Sequence, residues 1–265
     1  MRTRLRPRIA AIWLLATGLI PAILPGQGVI HREVSQGWNR SQTAGPQKPA
    51  ITPLQATYRT IVLSNGQPQD AGSRSVTVMA VDADKRAAWR VISVLRYQDL
   101  VSADTVEFLR ADLHPLSRHA KIGDGELTLV VDGETARGLL VISDRLTPLN
   151  VPLGKASFLN YYALRTALPG WPIDSSWRTE ASVLELTGEP QFIPVTLAVA
   201  GGERISVPAG SYECWIVTVR GSARGLDVDE RYWVAKQDRI VVRTQEQFGS
   251  QGAQLRLELS QVSRP

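Results

Sequence analysis

The sequence predicts a mainly β protein: a strongly curved antiparallel sheet or open β-barrel of about thirteen strands, with one helix packed in it or across its mouth. Three observations point there. Short β-branched and aromatic segments recur from residue 54 onward, punctuated by turn residues. Several of them alternate apolar and polar positions, the pattern of a strand with one dry face. Only residues 155–168 carry helical spacing. An open sheet of that size curls or closes, and the helix must then bury its apolar stripe against it.

The first segment is a leader. Arg2, Arg4, Arg6 and Arg8 precede an uncharged apolar run from Ile9 to Leu24, interrupted by Pro21 and followed by Pro25, Gly26 and Gly28. This order is that of a secretory signal peptide over residues 1–28. The run falls short of the about 20 apolar residues of a membrane anchor. Residues 29–53 are rich in Gly, Pro, Ser, Gln and Thr and read as a flexible linker. Residues 54–265 read as one β-rich domain. The protein is therefore expected to be exported, periplasmic or extracellular, with no transmembrane segment after cleavage. The net charge of +5 falls to +1 without the leader arginines. It gives no sign of a nucleic-acid partner, which needs a concentrated positive field on the folded domain. The lone cysteine, Cys214, excludes a disulfide framework within the chain.

In the body, strands are expected at Ala56–Leu63, stopped by Ser64-Asn65-Gly66, then at Arg74–Val81, Ala88–Arg96 and Ser102–Leu109. Leu116–Ile122 follows the turn through Pro115. Glu126–Val131 and Thr135–Ile142 flank Asp132-Gly133, a hairpin signal because the tight turn needs positive φ. In KASFLNYYALRTAL, Phe158, Leu159, Tyr162, Ala163 and Thr166 share one helical face, and Pro169-Gly170 stops it. Strands resume at Trp177–Leu186, Phe192–Ala200, Ser211–Arg220, Asp227–Ala235, Ile240–Gln247 and Ala253–Ser260.

Near residue 208 the chain reverses. Pro208 cannot donate to a ladder and ends a strand at Val207. Gly210 tolerates positive φ and turns the chain into Ser211. Tyr212, Cys214 and Ile216 then share one face, and Glu213, Trp215, Val217 and Val219 the other. Both faces are largely apolar, so this is a central strand covered on both sides, with Cys214 as a small buried hydrophobe.

The stretch GGERISVPAGSYECWIVTVR, followed by DVDERYWVAKQDRIVVRTQEQ, resembles the secreted bacterial domain-of-unknown-function family numbered three thousand one hundred and eight. The turn Leu113-His114-Pro115-Leu116, within LRADLHPLSRHAKIGDGELTLVVDGE, fits the same family. The resemblance covers most of residues 54–263 and supplies no catalytic residues. The architecture also resembles the lipoprotein-localisation carriers of the bacterial envelope, incomplete β-barrels whose helices plug a cavity for acyl chains. That likeness implies a hydrophobic ligand.

No catalytic or metal site stands out. His114 and His119 are five residues apart across a turn, a poor spacing for joint coordination with Asp112. No nucleophile elbow, phosphate loop or dinucleotide fingerprint is present. The carboxylates at Asp82/Asp84, Asp227/Asp229/Glu230 and Glu180/Glu185 read as solvated strand faces or hairpin ends. Aromatics cluster in the second half, and most fill a core. The candidate lining of an apolar cavity is Phe158, Leu159 and Tyr162 from the helix with Tyr212, Trp215 and Trp233 from the strands.

These readings lead to an exported, non-enzymatic, monomeric envelope protein without cofactor, which binds a lipid or acyl chain. Two alternatives stay open: an assembly partner of another envelope protein through a sheet edge, and an uncharacterised hydrolase.

Overall fold

A computed structural model describes residues 51–265, except 65, 187–188, 224–225 and 249–252. The leader and the linker up to residue 50 lie outside the described residues. The first half of the chain forms β1 (Leu54–Ser64), β2 (Gln67–Ala83), β3 (Arg86–Tyr97), β4 (Leu100–Leu109), β5 (Pro115–Ile122), β6 (Gly125–Asp132), β7 (Thr135–Ile142) and β8 (Arg145–Pro152). A two-residue strand β9 (Ser157–Phe158), the helix α1 (Tyr161–Ala167) and a 3-10 turn (Leu168–Gly170) follow. The second half forms β10 (Arg178–Glu185), β11 (Gln191–Val207), β12 (Gly210–Ala223), β13 (Leu226–Ala235), β14 (Val241–Phe248) and β15 (Ala253–Ser263).

All fifteen strands belong to one curved, unclosed sheet. Strands β1 to β8 form one meander and β9 to β15 another, and β1 pairs with β15 at the junction. Every pairing is antiparallel except that of β9 with β10. The edges are β8 and β9, and residues 153–156 join them directly. The Leu153 N–H donates to the Glu134 carbonyl (2.8 Å) and the Ser182 N–H to the Ala156 carbonyl (3.2 Å), which fastens this connection to both flanks. The sheet therefore curls until its two ends share one short loop.

Alternation decides what lies inside the curl. In β4, Ser102, Asp104, Val106 and Phe108 are buried, and the residues between them are not. In β15, Leu255, Leu257 and Leu259 are buried between the less buried Gln254, Arg256 and Glu258. The main core gathers such residues from β2 through β14 around α1, whose Ala163, Leu164 and Ala167 are almost wholly buried, as is Leu168 just after it. A seven-residue helix has no stability of its own in water, so this packing holds it. A second core lies where the β11–β12 hairpin folds back. Ile205, Val207 and Cys214 meet Trp233, Val242, Leu259 and Tyr58 there. The Ala209 N–H closes the hairpin tip onto the Leu259 carbonyl at 3.0 Å.

The architecture agrees with the sequence, but the strand count is fifteen rather than about thirteen. Two strands carry no sequence signal. β8 contains Pro148 and Pro152, which an edge strand tolerates because one side of its backbone faces no neighbouring strand among the described residues. β9 has two residues. The helix is also shorter than the expected 155–168. Asn160 has extended backbone (φ −165°) and caps α1, so Phe158 and Leu159 precede the helix. β11 continues beyond the expected Ala200 to Val207, because the glycine pair at 201–202 follows a bulge rather than making a turn.

Candidate functional site

The concave side holds two buried polar clusters, both fastened to the helical segment. The first anchors its start. Arg118 donates through Nε and Nη2 to the Asp104 carboxylate (3.2 and 2.9 Å) and through Nη1 to the Leu159 carbonyl (2.7 Å). Asn160 donates from Nδ2 to Asp104 (3.0 Å) and accepts the Ala163 N–H on Oδ1 (2.8 Å). One side chain thus caps the helix and ties it to a buried ion pair on β4 and β5.

The second cluster holds the other end. Arg165 projects from α1 between Glu230 of β13 and Glu246 of β14, bonding to Glu246 and lying 3.5 Å from Glu230. The Tyr232 hydroxyl donates to Glu230. The Arg165 guanidinium also lies 5.0 Å from the ring centre of Tyr162 and 5.2 Å from that of Tyr232. Arg74 stands 4.6 Å over the other reaches of Tyr162 and donates to the Ser93 hydroxyl at 3.1 Å. Burial pushes the Glu230 carboxyl up to about 8, with Glu246 adding to the shift and Arg165 and Tyr232 opposing it. Burial likewise raises Tyr162 and Tyr232, so both phenols stay protonated at neutral pH.

Between this helical cover and the wall of β1, β2, β14 and β15 lies a cavity of about 50 Å³. Its wall is apolar, with Leu54, Val76, Val78, Val241 and Leu257. Tyr162, Thr166 and Pro169 close it from the helix side, and Arg165 and Thr244 form a polar end. Sites for drug-sized ligands run to several hundred Å³, whereas this volume suits one or two waters or a small polar group.

The sequence matches the family described as "Protein of unknown function (DUF3108)" over residues 55–258, most of the described domain. The chain belongs to this DUF3108 family. No curated protein matches it significantly. Among solved structures it resembles a β-barrel-like protein of the DUF1849 domain family from Brucella abortus. That match has TM-score 0.52 at 10% identity and covers 82% of this chain and 99% of the other. The hypothetical lipoprotein YmcC from Escherichia coli matches at TM-score 0.32 and 11% identity, over 82% of this chain and 87% of the other. The first likeness establishes the fold: a β-barrel-like sheet.

In this DUF3108 chain the six expected lining residues do not converge. Only Tyr162 reaches the cavity. Phe158 and Leu159 fill the main core, Phe158 edge-on to Trp171 with ring centres 6.4 Å apart. Trp215 packs against that core from its margin, with Lys236 Nζ 4.0 Å above its ring. Tyr212 and Trp233 belong to the second core, where the Trp233 indole donates to Glu203. Asp112 accepts the His114 N–H (2.9 Å), which makes it a turn residue, and His119 lies exposed beside Thr128.

Glu230 requires correction. It reads as part of a solvated acidic run, yet its side chain is buried. The signal lies in the alternation of β13, where Val228, Glu230, Tyr232 and Val234 share one face. A carboxylate flanked by apolar residues two positions away on each side points inward with them. Arg165 has the helical equivalent, four residues after Tyr161 and three after Tyr162. Glu246 has no such flank, and nothing local announces its partner 81 residues away.

Proposed function

We propose that this DUF3108 chain is an exported, non-enzymatic envelope protein that takes a lipid or acyl chain against the concave face of its curled sheet, with α1 as a cover. The observation that carries the reading is the mounting of the cover. A helical segment too short to persist alone lies against a large apolar core, held near its ends by two compact polar clusters. Burying an acyl chain contributes roughly 0.8 kcal/mol per CH₂, enough over a dozen carbons to offset the release of such fastenings. The cavity as it stands admits only the beginning of a ligand, so the cover must shift to admit the rest. Export rests on the arginine-led apolar leader. No helix among the described residues is long and apolar enough to cross a membrane.

Native mass spectrometry of the protein purified from its own envelope, with lipid extraction, tests this. A reproducible co-purified lipid is expected, lost in Thr166→Phe, which fills the cavity from the helix side. A clean apo mass that stays apo when membrane lipids are offered overturns the reading.

A second reading, docking to another envelope protein, draws on one observation. Val130, Leu139 and Leu146 are exposed on the same outer face of β6, β7 and β8, Leu146 at 63%. The backbone edge itself is a poor template for strand addition, because Pro148 and Pro152 remove donors from β8 and β9 is short and buried. If the protein proves free of lipid, Leu139→Asp and Leu146→Asp in an envelope pull-down test that face.

A further inference from the structure

The polar end of the cavity holds donors without acceptors. Arg165 is 92% buried at its side chain and spends Nη2 on the two glutamates. Its Nε and Nη1 have no hydrogen-bond partner among the described residues, and neither has the Thr244 hydroxyl beside it. Buried polar groups are almost always satisfied, and a cluster that is not calls for an explanation. A guanidinium can only donate. What completes this site must therefore bring acceptors. The volume of about 50 Å³ limits it to a few heavy atoms. The apolar wall beyond, of Leu54, Val76, Val78 and Leu257, favours a ligand that continues as an apolar chain.

We propose that this end of the cavity is a head-group site, in which Arg165 and Thr244 donate to the carboxylate or ester oxygens of a single-chain amphiphile whose tail follows the apolar wall. The inference rests on the reading of a lipid-binding protein with a movable cover and adds the chemistry of the ligand's polar end. An ammonium head fails, since it brings no acceptor to these donors. Carboxylate and ester supply the same oxygen geometry, and separate probes distinguish them.

Thr244 makes the clean test, because Arg165→Met would leave Glu230 and Glu246 without their cation. Replacing an unpartnered buried hydroxyl by a methyl group removes a buried polar atom, so Thr244→Val stabilises the fold if the hydroxyl has no other duty. Thr60 is the control. Its hydroxyl is equally buried and unpartnered, and it pairs with Leu257 on β15, but it does not line the cavity.

The experiment is calorimetric titration of the purified protein with dodecanoate, monododecanoylglycerol and dodecylammonium, each below its micelle concentration, with thermal melts of each variant. Dodecanoate and the monoester are expected to bind, and dodecylammonium at least about tenfold more weakly. Thr244→Val should weaken the two acceptor probes by about threefold to tenfold while raising Tm. Thr60→Val should raise Tm with unchanged binding. A carboxylate-only or ester-only result keeps the site and names its head group. Equal affinity for all three probes, or unchanged affinity in Thr244→Val, overturns the head-group site and leaves ordered water as its occupant. The cover reading survives that result. Failure of every probe to bind overturns both.

Discussion

Glu230 and Glu246 stand directly opposite each other on β13 and β14, both turned toward Arg165. Like charges in that position repel, and one guanidinium cannot neutralise two carboxylates. Protonation of Glu230 relieves the conflict, in keeping with a carboxyl raised to about 8 by burial and by Glu246.

This makes stability depend on pH with a definite sign. An unfolded glutamate titrates near the ordinary value of about 4.3. Between that value and about 8 the folded protein holds a proton on Glu230 that the unfolded chain has released. Glu230 therefore lowers stability as pH rises through this window, by an amount on the order of a few kcal/mol. Urea unfolding from pH 5 to 9 is expected to show a declining contribution that is absent in Glu230→Gln. Parallel pH profiles for the two proteins would refute the assignment.

The clamp at the start of α1 makes a second prediction. Asn160→Ala loses a helix cap, about 1 kcal/mol, and a donor to a buried carboxylate, about 1.5–3 kcal/mol. Arg118→Leu leaves Asp104 buried without its cation and should cost about 3–5 kcal/mol. The double variant Asp104→Leu/Arg118→Leu removes both charges and should be less damaging than Arg118→Leu alone. Chemical denaturation followed by tryptophan fluorescence gives the order. A double variant worse than the single one would mean that Asp104 stabilises the fold through Asn160 even without its cation.

Local pattern announces some of this architecture and conceals the rest, for physical reasons that differ by residue. The division of β12 into a Cys214 face and a Trp215 face follows from strict alternation, and the structure keeps it, with Cys214 in the second core and Val217 in the main one. The reversal at Pro208 and Gly210 is equally legible, since β11 ends at Val207 and β12 starts at Gly210 with φ +140°. β8 is hidden because its prolines erase the strand signal, and only its place at an edge makes them tolerable. Phe158 and Leu159 fit a helical stripe by spacing, yet the extended backbone at Asn160 stops the helix short of them. The candidate site is the least legible of all. Tyr162 stands out as an aromatic on a helix face. The grouping of Arg165, Glu230 and Glu246 depends on where a curled sheet brings β13 and β14 beneath the helix, and no local pattern encodes that.

The curl itself is testable at one glycine. A Cβ at Gly138 of β7 would lie 1.8 Å from the Thr128 carbonyl oxygen on β6, a backbone atom that cannot step aside. Gly138→Ala should therefore cost about 1–3 kcal/mol or more. Gly133, in the β6–β7 turn, has positive φ (+59°) but open space around it. Gly133→Ala carries only the backbone penalty, about 1 kcal/mol. Thermal melts of the two variants should rank Gly138→Ala clearly lower. Equal losses would show that the two strands separate freely, and that close backbone approach does not set the bend.

Cys214 reports on the second core. It is fully buried, and burial raises its thiol to about 11, with Arg243 opposing and Glu203 adding to the shift. The reactive species is the thiolate, so the folded protein at pH 8 presents very little of it and shields what it has. Labelling by a thiol reagent should be slow in the native protein and rapid in denaturant. Its rate should follow opening of the β11–β12 hairpin rather than release of α1, because Ile205, Val207 and Trp233 pack in the core around Cys214 and the helix does not. Ala209 is the hinge of this test, since its N–H fastens the hairpin tip to Leu259. Ala209→Pro deletes that donor and should speed labelling, while Asn160→Ala, which loosens the helix, should leave the rate near that of the parent protein. If loosening the helix accelerates labelling as strongly as freeing the hairpin, the two cores open together and the cover does not move on its own.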